Sequence, residues 1–118
     1  MNEKVLKCLY DIQLALVETE SFVASIPNDF EEYVRHPMIK RAVERNLEII
    51  GEAVTRILKE DPNFPLDHAR RIIGLRNQII HGYDTVSDEN IWAILKNHLP
   101  KLGIEVAELI KKEERALL

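Results

Sequence analysis

The sequence predicts an all-α fold, an antiparallel bundle of four main helices plus a short connecting helix. Three observations carry that expectation. Apolar residues recur every three or four positions along four long stretches, no stretch of useful length alternates with period two, and the 118 residues include only 4 Gly and 5 Pro. A chain of this length suits one domain, residues 1–118, and a 46% hydrophobic, 31% charged composition excludes a disordered or collagen-like polymer.

The first helix is expected from Glu3 to about Ala24. Val5, Leu9, Ile12, Leu16 and Val23 form one stripe, with Leu6, Tyr10, Leu14 and Val17 as a second stripe beside it. Pro27 and Asn28 break the rhythm, and Asp29 can cap a short helix through Val34 before His36 and Pro37 interrupt again. Pro37 suits the first turn of a second long helix, where Ile39, Val43, Leu47, Ile50, Val54 and Ile57 form the apolar face and Glu60 marks the end. Asp61, Pro62, Asn63 and Pro65 read as a loop, and Asp67 as the cap of a third helix ending near Gly82. Ser87 caps the last element. There Trp92, Leu95, Leu99, Leu102, Val106 and Leu109 keep the helical rhythm past Pro100, which predicts a kink at that proline more than a stop.

Composition narrows the function classes. One cysteine, Cys8, can form neither an internal disulfide nor a multi-thiolate zinc site. No apolar run reaches the ~20 residues that span a bilayer, and the N-terminus carries acids where a signal peptide would be cleanly apolar. A cytoplasmic protein with no membrane partner is expected. The net charge of −4 disfavours a general polyphosphate binder, DNA included. Residues 68–83, however, hold Arg70, Arg71 and Arg76 without one acid, so the candidate anion-binding site is local and Arg70 and Arg71 are its flanking cations.

Within that window the apolar stripe Ala69, Ile72, Ile73, Ile79, Ile80 is interrupted by Arg76. A guanidinium is costly to bury unpaired. Either it pairs with a carboxylate such as Glu48 or Glu52 on the second long helix, or it reaches the helix edge, or it serves a ligand. Asn77, His81, Gly82 and Tyr83 follow it. At ~100° per residue Arg76 and Tyr83 share a stripe, Asn77 and His81 form an i,i+4 pair, and His81 sits about 140° from Arg76. One helix therefore does not superimpose Arg76 and His81; to address one ligand they need the long reach of Arg with a helix end near Gly82, or a second copy of the motif across a homodimer interface. The residue types suit a phosphodiester: an Arg for the phosphate charge, a His for proton transfer near neutrality, and an amide to hold the imidazole tautomer. RNA supplies its own nucleophile, the 2′-hydroxyl, so no metal or other cofactor is required.

Arg76 to Tyr83 matches an RxxxxHxY motif. With AVERNLEIIGEAVTRI in the second long helix, DPNFPLDHARRIIGLRNQIIHGY after it and DTVSDENIW before the last helix, the chain resembles the HepT-like toxins of the HEPN superfamily of helical ribonucleases. The resemblance implies a metal-independent endoribonuclease acting as the toxin of a toxin–antitoxin pair. Arg76 and His81 would be its catalytic pair, in a cleft at a homodimer interface, with RNA as substrate. It further implies a minimal nucleotidyltransferase antitoxin that silences the toxin by transferring AMP onto Tyr83.

Other residues carry weaker signals. His36, His68, His81 and His98 include no i,i+3 or i,i+4 pair, which argues against a helical metal site. Glu48 and Glu52, one turn apart, are candidate supports for Arg76. Gly51 fits a close helix crossing, and Trp92 and Tyr10 fit anchors in a core or interface. The competing reading from another class is a catalytically silent helical partner that binds the nucleotidyltransferase or a nucleotide.

Overall fold

The computed structural model describes residues 3–67, 74 and 87–118. Among the described residues the chain forms α1 (Glu3–Ala24), α2 (Phe30–Val34), α3 (Pro37–Glu60), α4 (Asp88–Asn97) and α5 (Leu99–Leu117), and no strand. The third helix expected from the sequence is described only at Gly74, which is helical, and all of its motif lies outside the described residues. No described helix is long and apolar enough to cross a membrane.

α1 is the central element, packed against α3 and against α5, while α2 bridges α3 and α4. Leu9 and Ile12 of α1, Val43, Leu47, Ile50, Val54 and Ile57 of α3, Ile91 of α4, and Leu102 and Val106 of α5 are fully or almost fully buried. These are positions of the three-four rhythm, so helix formation and core formation have one cause: a stripe that must leave water. The gap in the α1 stripe between Leu16 and Val23 is filled by buried Thr19, whose hydroxyl donates to the Ala15 carbonyl at 2.7 Å. Opposite it, the buried Asn46 amide of α3 is shared among the Ala15 carbonyl (3.3 Å), Thr19 Oγ1 (3.2 Å) and Glu18 Oε1 (3.4 Å). A polar residue on the apolar stripe of α3 is thus satisfied across the α1–α3 contact.

The element ends follow local chemistry. Pro37 occupies the first turn of α3, and Ser87 caps α4 by accepting the Asn90 amide at 3.1 Å. Asp29 precedes α2 in extended conformation but makes no side-chain cap bond. In the loop after α3, Asp61 Oδ1 accepts the Asn63 amide, and Phe64 and Leu66 turn into the core.

Two expectations change. The last helix is interrupted at His98 (φ −104, ψ −43) rather than merely kinked at Pro100, and α5 starts anew with Pro100 in its first turn. Proline has no N–H for the Lys96 carbonyl, and the chain absorbs the loss two residues earlier, where His98 still donates to Ile94 and accepts from Leu102, both at 2.9 Å. The second stripe of α1 is not uniformly buried either. Leu6 is in the core, but Tyr10, Leu14 and Val17 are exposed, because α3 and α5 cover only part of the helix circumference. Tyr10 is accordingly no core anchor; its hydroxyl donates to Glu114 Oε2 at 2.6 Å. Trp92 is half-buried and lies against the rings of Tyr33 (5.4 Å) and Phe30 (6.1 Å), with the Lys96 ammonium 4.6 Å from its ring centroid.

Gly103 lies within α5, and a Cβ added there would meet nothing within 4 Å. Gly103→Ala is therefore expected to stabilise the fold by about 0.5–1 kcal/mol, the difference in helix propensity. The check is a higher urea midpoint at unchanged slope.

Candidate functional site

Arg70, Arg71, Arg76, Asn77, His81 and Tyr83 lie outside the described residues, whereas the residues that flank this segment in the chain, and α3 with the predicted supporting carboxylates, are described. Both flanks are held. Upstream, the Asp67 amide donates to Glu105 Oε2 of α5 at 3.3 Å. Downstream, Asp88, the first residue of α4, pairs with Lys40 of α3 at 3.0 Å, both side chains being largely covered. A half-buried charge pair with this geometry orders its two helices more firmly than the exposed pairs elsewhere on the surface.

Behind that pair is a polar corner. Tyr33 is fully buried, and its hydroxyl has no hydrogen-bond partner among the described residues. Burial, with the Glu44 and Asp88 carboxylates nearby, pushes its phenol far above the usual range. Burial also raises Glu44 on α3, an effect that Arg41 and Lys40 partly offset and that Asp88 and Glu48 reinforce. The Arg41 guanidinium lies 3.7 Å from the Glu44 carboxylate.

The two predicted supporting carboxylates are on α3. Glu48 is half-buried and pairs with Arg45 of its own helix at 3.3 Å, and Glu52, one turn on, is half-buried and engaged. Gly51 between them is buried, its carbonyl accepting the Thr55 hydroxyl at 2.8 Å. His36 does not face a ligand: its Nδ1 lies 2.6 Å from the Glu32 carbonyl and closes the turn between α2 and α3.

Lys40, Asp88, Tyr33, Glu44 and Glu105 were not legible as a group. Each is unremarkable in its own helical pattern, and only contacts across 38 or 48 residues bring the pairs Asp67–Glu105 and Lys40–Asp88 together. Asn46 did leave a signal, a polar residue at a position of the apolar stripe of α3.

Comparison with known proteins assigns these elements to a family. The family model described as ribonuclease HepT-like matches residues 12–109, from the middle of α1 to the middle of α5. A protein of Caldanaerobacter subterraneus provisionally named an RNase is 38% identical over 89 residues, covering 72% of this chain and 77% of its own length. Another provisionally named RNase, from Methanocaldococcus jannaschii, is 34% identical over 107 residues, covering 90% of each chain. A protein of Thermococcus cleftensis provisionally named ribonuclease HepT is 33% identical over 107 residues, covering 87% of this chain and 93% of its own. No solved structure matches this fold at a significant level. With the Arg76–Tyr83 motif inside the matched range, the chain belongs to the HepT-like ribonucleases of the HEPN superfamily.

Proposed function

We propose that the chain is the toxin of a toxin–antitoxin pair, a metal-independent endoribonuclease that uses Arg76 and His81 to cleave RNA. The observation that carries this reading is the Arg76–His81–Tyr83 motif within a chain of the HepT-like ribonuclease family. In the reaction the RNA 2′-oxygen loses its proton and attacks the adjacent phosphorus, and the bond from phosphorus to the 5′-oxygen breaks. The leaving oxygen takes up a proton, giving a 2′,3′-cyclic phosphate and a 5′-hydroxyl. His81 moves the proton, Arg76 neutralises the charge that builds on the phosphate, and Asn77 holds the imidazole tautomer. Arg70 and Arg71 hold flanking phosphates, and Glu48 and Glu52 on α3 are the carboxylates available to orient Arg76.

Two copies of the chain share the cleft, so that both motifs address one RNA strand and the 140° offset within one helix is overcome. A minimal nucleotidyltransferase antitoxin silences the enzyme by placing AMP on Tyr83. The test is cleavage of single-stranded RNA by the purified protein in excess chelator, with the new ends identified by mass. Cyclic phosphate and 5′-hydroxyl ends formed at an undiminished rate support the reading. Strict dependence on added metal, or 5′-phosphate ends, overturns it.

One observation favours the second reading, a silent partner that binds the nucleotidyltransferase or a nucleotide: the net charge of −4 is unlike that of a tight general RNA binder. The same assay decides between them, because a silent partner releases no new ends.

A further inference from the structure

The pair between Lys40 of α3 and Asp88 of α4 differs from the local ion pairs of the described residues. In Lys7–Asp11, Arg35–Glu32, Arg41–Glu44 and Arg45–Glu48 the partners are three or four residues apart, and the cations are 61% to 75% exposed. Lys40 and Asp88 are 48 residues apart, their side chains are 26% and 30% exposed, and they meet at 3.0 Å. An ammonium covered to that extent is costly without a partner, so the pair has one geometry rather than many. The other carboxylate nearby, Glu44, has Arg41 at 3.7 Å. Stability alone is a weak reason for such a pair, since apolar side chains of similar volume often serve a half-buried site as well.

Its place in the chain supplies another reason. Asp88 follows His81 by seven residues and Tyr83 by five, so covalent connection alone makes it the first charged anchor in α4 after the motif. Lys40 shares α3 with Glu48 and Glu52, which lie eight and twelve residues further on, about 12 and 18 Å along one rigid element. The pair thus ties the point where the motif segment ends to the helix that carries the candidate supports of Arg76. Resting on the reading of Arg76 and His81 as the cleaving pair, we infer that Lys40 is a positioning residue for the reaction: through Asp88 it fixes where the motif segment joins α4. It touches no RNA and moves no proton. Its effect is on geometry, and a catalytic group misplaced by 1 Å can cost about 10² in rate.

The experiment combines single-turnover cleavage of single-stranded RNA with amide hydrogen exchange on the full-length chain. Lys40→Met keeps the apolar stem and removes the charge. It is expected to lower the maximal cleavage rate about 10–100-fold, with less than about a twofold change in the RNA concentration that gives half the maximal rate, because the groups that meet RNA are intact. Lys40→Arg can still pair with Asp88 and is expected to recover most of the rate. Asp88→Asn is expected to match Lys40→Met, and the double variant to fall no further, since the two side chains act as one unit. In Lys40→Met and Asp88→Asn the amides of residues 76–86 are expected to exchange at least about 10-fold faster while those of α1 stay as in the wild type, a pattern that uniform loss of stability does not give. Lys7→Met, which breaks an exposed pair within α1, is the control and is expected to change neither readout. An unchanged rate in Lys40→Met, a loss no larger than its unfolded fraction, additive losses in the double variant, or unchanged exchange at residues 76–86 overturns the inference. A wild-type chain that cleaves no RNA overturns the ribonuclease reading instead, and the exchange measurement then decides by itself whether Lys40 holds the segment.

Discussion

Replacing His81 by alanine is expected to lower the rate of RNA cleavage by about 10²–10⁴-fold, the contribution of a positioned general acid–base group. Imidazole is the side chain whose ordinary pKa lies nearest neutrality, so it can take the proton of the 2′-hydroxyl and return one to the leaving oxygen without an extreme environment. Its loss is expected to leave the unfolding free energy within about 0.5 kcal/mol of wild type, the range for substitutions away from packed or buried polar features. Arg76→Ala is expected to lower cleavage by a similar factor for a different reason. The phosphate gains charge in the transition state, and a guanidinium is the donor that meets it bidentately without a proton to lose. If Arg76 pairs with a carboxylate on α3, its variant is expected to lose more stability than the His81 variant, because the carboxylate is then left without its partner. Glu48 already has Arg45 at 3.3 Å, which limits that cost if Glu48 is the partner concerned. Single-turnover cleavage and urea unfolding of the two variants check both halves of the prediction. Full activity in the His81 variant rules out the proposed role of the imidazole.

Under the proposed function, Tyr83→Phe is expected to remain toxic, or become more so, and no longer to be neutralised by the proposed nucleotidyltransferase partner that silences the wild type. Phenylalanine keeps the ring but offers no oxygen to accept AMP. Tyr83 is seven residues, about two helical turns, after Arg76, so a short helical extension would leave its hydroxyl on the guanidinium's side of the helix. A phosphate attached there would compete with an RNA phosphate for Arg76 and add a negative charge that repels the substrate. Growth and intact mass, measured together for each version co-expressed with the partner, separate the two ways of silencing. Loss of protection together with loss of the added AMP mass supports modification. Equal protection with an unmodified tyrosine means that the partner inhibits by binding alone.

How far these residues can be interpreted depends on the range of the interactions involved. α3 and the start of α4 lie where local signals place them: Pro37 in the first turn of α3, the proline-rich loop after Glu60, and Ser87 capping α4. Helix formation and capping act over three or four residues, so a linear reading captures them. The same holds for the motif, whose identity is a matter of residue type and spacing, and for membership in a ribonuclease family, to which most of the chain contributes.

Tertiary structure was needed to choose among faces. Tyr10, Leu14 and Val17 have the same periodicity as the buried stripe of α1, yet they lie outside the core because α3 and α5 occupy the other side. The bond between Asn46 and the Ala15 carbonyl, the Lys40–Asp88 pair and the seat of the Asp67 amide on Glu105 join residues 31, 48 and 38 positions apart. Apart from the polar Asn46 on the apolar stripe of α3, their own segments give no trace of these contacts. Periodicity states that a stripe must leave water; it does not state which neighbour covers it, because that depends on the packing of helices distant in the chain.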